Sequence, residues 1–153
     1  MTVVIVRHGS AGDRERWPGP DGERPLDERG RRQALGLIEV LDGVKIGRIL
    51  SSPAIRCIQT VQPLADARSL AVEPSPALLE GAGDEAVALL RSATGEDAVL
   101  CTHGDIVPLL LDYLSRVDGV ALEPKPRWPK GSSWVVDSDG GRFSAARYLP
   151  PAG

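Results

Sequence analysis

The chain holds only two histidines, and both occupy the same kind of place. His8 follows the apolar run Val3 to Val6 and Arg7, and precedes Gly9. His103 follows the run Ala98 to Cys101 and Thr102, and precedes Gly104. A third cluster, Ser51-Ser52-Pro53 with Arg56 just beyond, follows Arg48-Ile49-Leu50. A single histidine at a strand end most often serves structure. Two of them at equivalent positions, each with cationic or hydroxyl neighbours, are hard to explain by packing. A neutral imidazole is a good nucleophile near pH 7. Phosphoryl transfer also needs cations or N–H donors around the equatorial oxygens. Arg7 and Arg56 can supply planar, paired donors. Gly9 would let backbone approach a ligand closely. The set suits phosphate chemistry.

For these clusters to meet, the elements before them must end on one rim. Val3 to Val6 reads as a buried strand. Residues 10–25 are rich in Gly, Pro and charge and read as a long loop. Asp27 is the expected N-cap of a helix carrying Ala34, Leu37, Ile38 and Leu41 at helical spacing. Arg48 to Leu50 is a second strand, and Ala54 to about Ala67 a helix that Pro63 should kink or split. Ala71 to Glu73 is a poorer strand. Asp84 is the expected cap of a short helix. Ala98 to Cys101 is another strand, followed by a helix over Asp105 to Leu114 with Pro108 in its tolerated first turn. Trp134 to Val136 and Phe143 to Ala146 pair across Asp139-Gly140-Gly141. Alternating strands and helices closed by a hairpin predict a three-layer α/β/α sandwich with a largely parallel central sheet. Ligands in such sheets sit beyond the carboxyl ends of the strands.

With those segments in place, the chain resembles the histidine phosphatase superfamily, the phosphoglycerate-mutase-like proteins. The resemblance rests on VVIVRHG, PLDERGRRQA, SSPAIRCIQT and the Thr102-His103-Gly104 unit, in that order, and covers about residues 2 to 148. It implies a phosphoglycerate-mutase-like fold in a single domain, 1–153. It implies His8 as the phospho-accepting nucleophile, with Arg7, Arg56 and His103 completing the phosphate pocket. Many members use a glutamate to protonate the leaving oxygen, and Glu80 stands where it is expected; Asp84 and Glu85 compete for that role. The short chain looks most like the SixA-type phosphohistidine phosphatase branch, which often lacks that glutamate. The 10–25 loop and the PKGSSWVV segment are also similar to histidine phosphatase domains fused to Nudix hydrolases. No Nudix domain is present here. The mutase branch needs inserted segments that this chain is too short to hold.

Composition sets the outer bounds. The chain has 153 residues, about one domain, with 42% hydrophobic and 25% charged residues, a net charge of −3 and a pI near 5.4. A nucleic-acid partner is not expected at that charge. No apolar run reaches the ~18 residues of a membrane span, so no membrane partner is expected either. The start MTVVIVRHG lacks a basic n-region before its apolar stretch, which argues against export and makes a cytoplasmic location the expectation. Cys57 and Cys101 read as buried free thiols. No Cys-x-x-Cys pair exists, and neither a metal nor a cofactor is expected.

Other residues carry two readings each. Arg14 and Trp17 belong either to a solvated loop or to a lid over the substrate, where Trp17 could stack on a ring. Lys130, with Lys125, Arg127 and Trp128, is either ordinary surface or the opposite pocket wall. Ser10 either donates a hydrogen bond near phosphate or satisfies its own turn. Gln33 and Gln59 are expected to tie elements together. The expected partner is a phosphorylated small molecule, a nucleotide or a phosphohistidine protein. The first functional reading is a phosphatase working through phosphohistidine on His8. The alternatives are a nucleoside diphosphate phosphatase and a phosphate-binding module with weakened catalysis.

Overall fold

A computed structural model describes residues 1–153. Six strands form one sheet: β1 (Thr2–Arg7), β2 (Arg48–Ser51), β3 (Val72–Pro74), β4 (Ala98–Thr102), β5 (Ser133–Asp139) and β6 (Arg142–Leu149). Their order is β3-β2-β4-β1-β5-β6. The first four run parallel, while β5 lies antiparallel to β1 and to β6. Four helices connect them: α1 (Glu28–Val40), α2 (Ile55–Ala67), α3 (Gly83–Ser92) and α4 (Ile106–Asp118).

The layers follow from the two-residue period of the strands. Val3, Ile5, Leu50 and Leu100 face α3 and α4, packing with Leu90, Leu110, Leu114 and Trp134. Val4, Val6, Ile49 and Val99 face α1 and α2, packing with Leu37, Leu41, Val61 and Leu64. Both faces of β1 and β4 are covered, so these strands are continuous apolar runs. This is the expected three-layer α/β/α sandwich, and its mixed sheet is parallel at the strands that carry the histidines.

Register brings the three clusters together. Arg7 pairs with Thr102, and Ser51 pairs with Cys101. The ladder extends one residue further, as His8 N–H donates to Thr102 O at 3.1 Å and Ser52 N–H to Cys101 O at 2.9 Å. His8, His103 and Ser52 therefore leave the sheet at one rim.

Asp27 caps α1, accepting from Gly30 N–H at 2.8 Å. The hairpin turns on Gly140 and Gly141, both with positive φ (59° and 79°), as a two-residue turn of that hand requires. Three details differ from expectation. Pro63 does not split α2; Val61, Leu64 and Ala65 are buried against the sheet and hold the helix through the lost hydrogen bond. Asp84 is not the cap of α3. The helix starts at Gly83, after the positive-φ turn at Gly81, and places Asp84 and Glu85 in its first turn, where the dipole favours them. α4 runs on to Asp118 and stops at Gly119, whose left-handed conformation (φ 69°) ends it.

Candidate active site

His8 is 6% exposed. Its Nδ1 lies 2.8 Å from Gly9 O. A carbonyl only accepts, so Nδ1 carries the hydrogen and Nε2 keeps its lone pair. Burial lowers the His8 pKa to about 3, and the positive surroundings of His103, Arg56 and Arg7 act in the same direction. The ring is neutral across the physiological range, as a nitrogen nucleophile must be.

His103 stands edge-on to His8, with ring centroids 5.4 Å apart. Its Nε2 is 2.8 Å from Ser52 Oγ, and its Nδ1 is 3.4 Å from both Arg56 Nη2 and Glu80 Oε1. Cys57 Sγ packs 3.6 Å from His103 Nε2; it and Cys101 are free thiols, both buried.

Arg56 is 1% exposed. Its Nη1 donates to Asp21 O at 2.8 Å, and its Nη2 to Asp21 Oδ2 at 3.0 Å and to Glu80 Oε1. Its Nε is buried with no partner. Arg7 is alike: Nη1 donates to Trp128 O at 3.0 Å, and Nε is buried without a partner. Burial lowers the pKa of the Arg7 guanidinium. A side chain at position 104 would place Cβ 2.7 Å from that guanidinium, so Gly104 is what makes room for it.

Glu80 reaches the site from the turn before α3. Its Oε1 accepts from Arg14 at 2.8 Å as well as from Arg56. Arg14 also meets Asp21 Oδ1 at 3.2 Å. The 10–25 loop and Glu80 are thus joined across the mouth of the site.

Gly9 serves a different contact from the one expected. Its N–H donates to Thr60 Oγ1 at 2.9 Å, and a Cβ there would lie 3.2 Å from Gly30 Cα. What comes close is α1 itself. Ser10 likewise turns away, its hydroxyl donating to Asp27 Oδ2 at 2.6 Å. That bond and the N–H groups of Gly30 and Gly12 hold the Asp27 carboxyl below its ordinary pKa against burial, which raises it. Gln33 and Gln59 do tie elements: Gln33 Oε1 accepts from Ser10 N–H, and Gln59 Oε1 from Leu26 N–H.

A cavity of about 480 Å3 opens over His8, lined by Arg7, Arg14, Arg24 and Lys130 with Gly12 and Asp13. Trp17 sits in an adjoining hollow of about 270 Å3 that shares Gly12, Asp13 and Arg24. No group of three His, Cys, Asp or Glu is placed to hold a metal ion.

Asp21 was not singled out by the sequence, and the part played by Arg24 was not separable from that of the other loop arginines. Asp21 lies on a 3-10 turn (Asp21–Glu23) inside the long loop. Burial raises its carboxyl pKa, but the hydrogen bond from Arg24 and the charges of Arg56 and Arg14 outweigh that and leave it below the ordinary value. Arg24 is buried and donates to Ala11 O at 2.6 Å, so it acts as a spoke inside the loop. The signal was charge alternation, which looks the same in a solvated loop.

Residues 3–86 match the family model described as histidine phosphatase superfamily (branch 1). The chain belongs to the histidine phosphatase superfamily. This histidine phosphatase is 35% identical, over 98% of its length, to an 8-oxo-(d)GTP phosphatase of Mycolicibacterium smegmatis. It spans about half (48%) of that relative. It is similar to the structure of the protein histidine phosphatase SixA complexed with tungstate: TM-score 0.76, 27% identity, covering 99% of this chain and 96% of that one. A putative phosphohistidine phosphatase SixA from Agrobacterium tumefaciens shares the fold, with TM-score 0.81 and 22% identity, covering 98% and 97% of the two chains.

Within the fold, no helix is long and apolar enough to cross a membrane.

Proposed function

We propose that this histidine phosphatase hydrolyses phosphorylated substrates in two steps through a phosphohistidine at His8 Nε2. One observation carries the reading. Arg7 and Arg56 each keep a buried Nε–H without a partner, beside a neutral histidine whose Nε2 is bare. Buried donors are nearly always satisfied, so an unpaired pair calls for an acceptor such as phosphate oxygen.

In the first step His8 Nε2 attacks phosphorus in line, and the bond to the leaving group breaks. The guanidiniums of Arg7 and Arg56 stabilise charge on the equatorial oxygens. They supply the positive charge that a metal brings in other phosphatases. His103, edge-on to His8, is the further donor to the phosphoryl group. In the second step water attacks phosphorus, the P–N bond breaks and orthophosphate leaves. Glu80 Oε1 accepts from both Arg14 and Arg56, so a proton for the leaving oxygen would come from Oε2. In this state Glu80 braces Arg56. The likeness to SixA, whose structure is a complex with tungstate, supports a phosphate-like oxyanion as ligand.

The test is hydrolysis of p-nitrophenyl phosphate with and without EDTA, using the wild-type protein, His8→Ala and Arg56→Ala. The expected result is activity that persists in EDTA, vanishes in His8→Ala and falls by about 100-fold or more in Arg56→Ala. Activity retained by His8→Ala, or abolished by EDTA, contradicts the reading.

A further inference from the structure

The cavity over His8 presents cations beyond those that one phosphoryl group would meet. Arg7, Arg56 and His103 account for the group on His8. Lys130 and Arg14 line the same cavity beyond them. Lys130 has no carboxylate within salt-bridge distance, whereas Arg14 is ion-paired with Glu80 and Asp21 at the mouth, where an inner phosphate would compete for it. At about 480 Å3 the cavity is in the range that takes a whole small ligand, roughly 300–1,000 Å3. No hydrophobic side chain lines it, and four of its seven lining residues are cations beside one carboxylate, Asp13, which favours an anionic ligand.

The adjoining hollow is of another kind. Ala11, Pro25 and Leu26 line it together with Trp17. Trp17 Nε1 donates to Pro20 O at 2.9 Å, which fixes the indole as a ready stacking surface. The two spaces are neighbours that share Gly12, Asp13 and Arg24 in their walls.

The leaving-group side agrees. Glu80, the carboxylate nearest His103, gives its Oε1 to two arginines, a pairing that favours the carboxylate form. A substrate that leaves without a proton donor suits such a site. The phosphate released from a phosphoanhydride is such a leaving group, whereas an alkoxide is not.

We infer that the substrate is an organic diphosphate bearing an aromatic base, of the nucleoside diphosphate class. Its terminal phosphate lies on His8, its inner phosphate on Lys130 and Arg14, and its base beside Trp17. This rests on the phosphohistidine reading above. His8 Nε2 bonds to the terminal phosphorus. The bond from that phosphorus to the bridging oxygen breaks, and its electron pair leaves with the nucleoside monophosphate. Water then attacks the phosphohistidine, releasing orthophosphate and returning His8.

The test compares phosphate release from a nucleoside diphosphate, the matching monophosphate, inorganic pyrophosphate, p-nitrophenyl phosphate and a phosphohistidine peptide. Phosphoenzyme is trapped in parallel with p-nitrophenyl phosphate. The diphosphate is expected to exceed the monophosphate and p-nitrophenyl phosphate in kcat/KM by about 100-fold, the worth of one or two charged hydrogen bonds. Lys130→Ala should cost the diphosphate about 10-fold more than it costs p-nitrophenyl phosphate. Trp17→Ala should raise KM for the nucleoside diphosphate about 5-fold or more, and raise it less for pyrophosphate. If phosphoenzyme forms but the diphosphate is no better than p-nitrophenyl phosphate, or the phosphohistidine peptide exceeds it, the substrate assignment is overturned while the His8 mechanism stands. If the two variants lower all substrates equally, the assignment is overturned as well. If no substrate yields phosphoenzyme, both fall.

Discussion

Asp21 holds Arg56 twice, with its backbone carbonyl on Nη1 at 2.8 Å and its carboxylate on Nη2 at 3.0 Å. The two bonds lock the guanidinium plane and leave Nε as the free donor. A loop residue thereby sets the aim of a buried arginine on α2. Asp21→Ala keeps the carbonyl bond and loses the carboxylate. The expected outcome is a fall in kcat of about 10- to 100-fold on p-nitrophenyl phosphate, because displacement of a catalytic group by about 1 Å costs that much. Asp21→Asn, which retains an oxygen acceptor, should recover part of the loss. Steady-state kinetics of the three proteins check it.

Gly104 makes room for Arg7. An alanine there would set its Cβ 2.7 Å from the guanidinium and push it from its bond with Trp128 O. Gly104→Ala is expected to lower kcat/KM by about 100-fold while the protein still folds. Kinetics paired with a urea melt separates the two effects.

His8 should remain neutral well into acid. With its pKa lowered to about 3, its ring resonances should not shift between pH 8 and pH 5 in an NMR titration. The stability consequence has a definite sign. Below pH 6.5 the unfolded chain takes up a proton at His8 and the folded chain does not. Stability is therefore lost as pH falls from 6.5 toward 3. Between pH 7 and pH 5 the wild type should lose about 2 kcal/mol more than His8→Asn in urea unfolding. Equal losses would show that His8 titrates normally.

Trp134 anchors the wall opposite the loop. It is 1% exposed, and its Nε1 donates to Arg127 O at 2.8 Å, next to the Trp128 carbonyl that holds Arg7. Trp134→Phe should cost about 1–2 kcal/mol, read as a lower urea midpoint. It should also lower activity, since the Arg7 anchor moves with that wall.

Much of this was legible before the structure. Continuous apolar runs at Val3 to Val6 and Ala98 to Cys101 read correctly as doubly covered strands, and the polar residue that ends each run marked the rim. His8, Arg7, Arg56 and His103 meet there as expected. What failed to read was set by tertiary contact. The place of Gly9 beside His8 is visible in the sequence, while the approach of Gly30 to it is not. For Ser10 the phosphate and turn readings stood open, and only the fold shows its hydroxyl bonded to Asp27. Asp21 could not be separated from Asp13, Glu15 or Glu23 by type, and only the docking of the 3-10 turn on α2 singles it out. Pro63 was expected to kink or split α2, and the buried face of the helix carries it past the proline without a split.

The central claim is the covalent bond to His8. The protein is mixed with substrate, quenched within milliseconds under alkaline conditions that preserve phosphoramidates, digested, and the peptide containing Arg7, His8 and Gly9 is weighed. The expected result is an added phosphate mass on that peptide at His8, absent from His8→Ala and lost on the timescale of turnover. Turnover with an unmodified His8 peptide at every quench time, or phosphate on His103 instead, would contradict the mechanism.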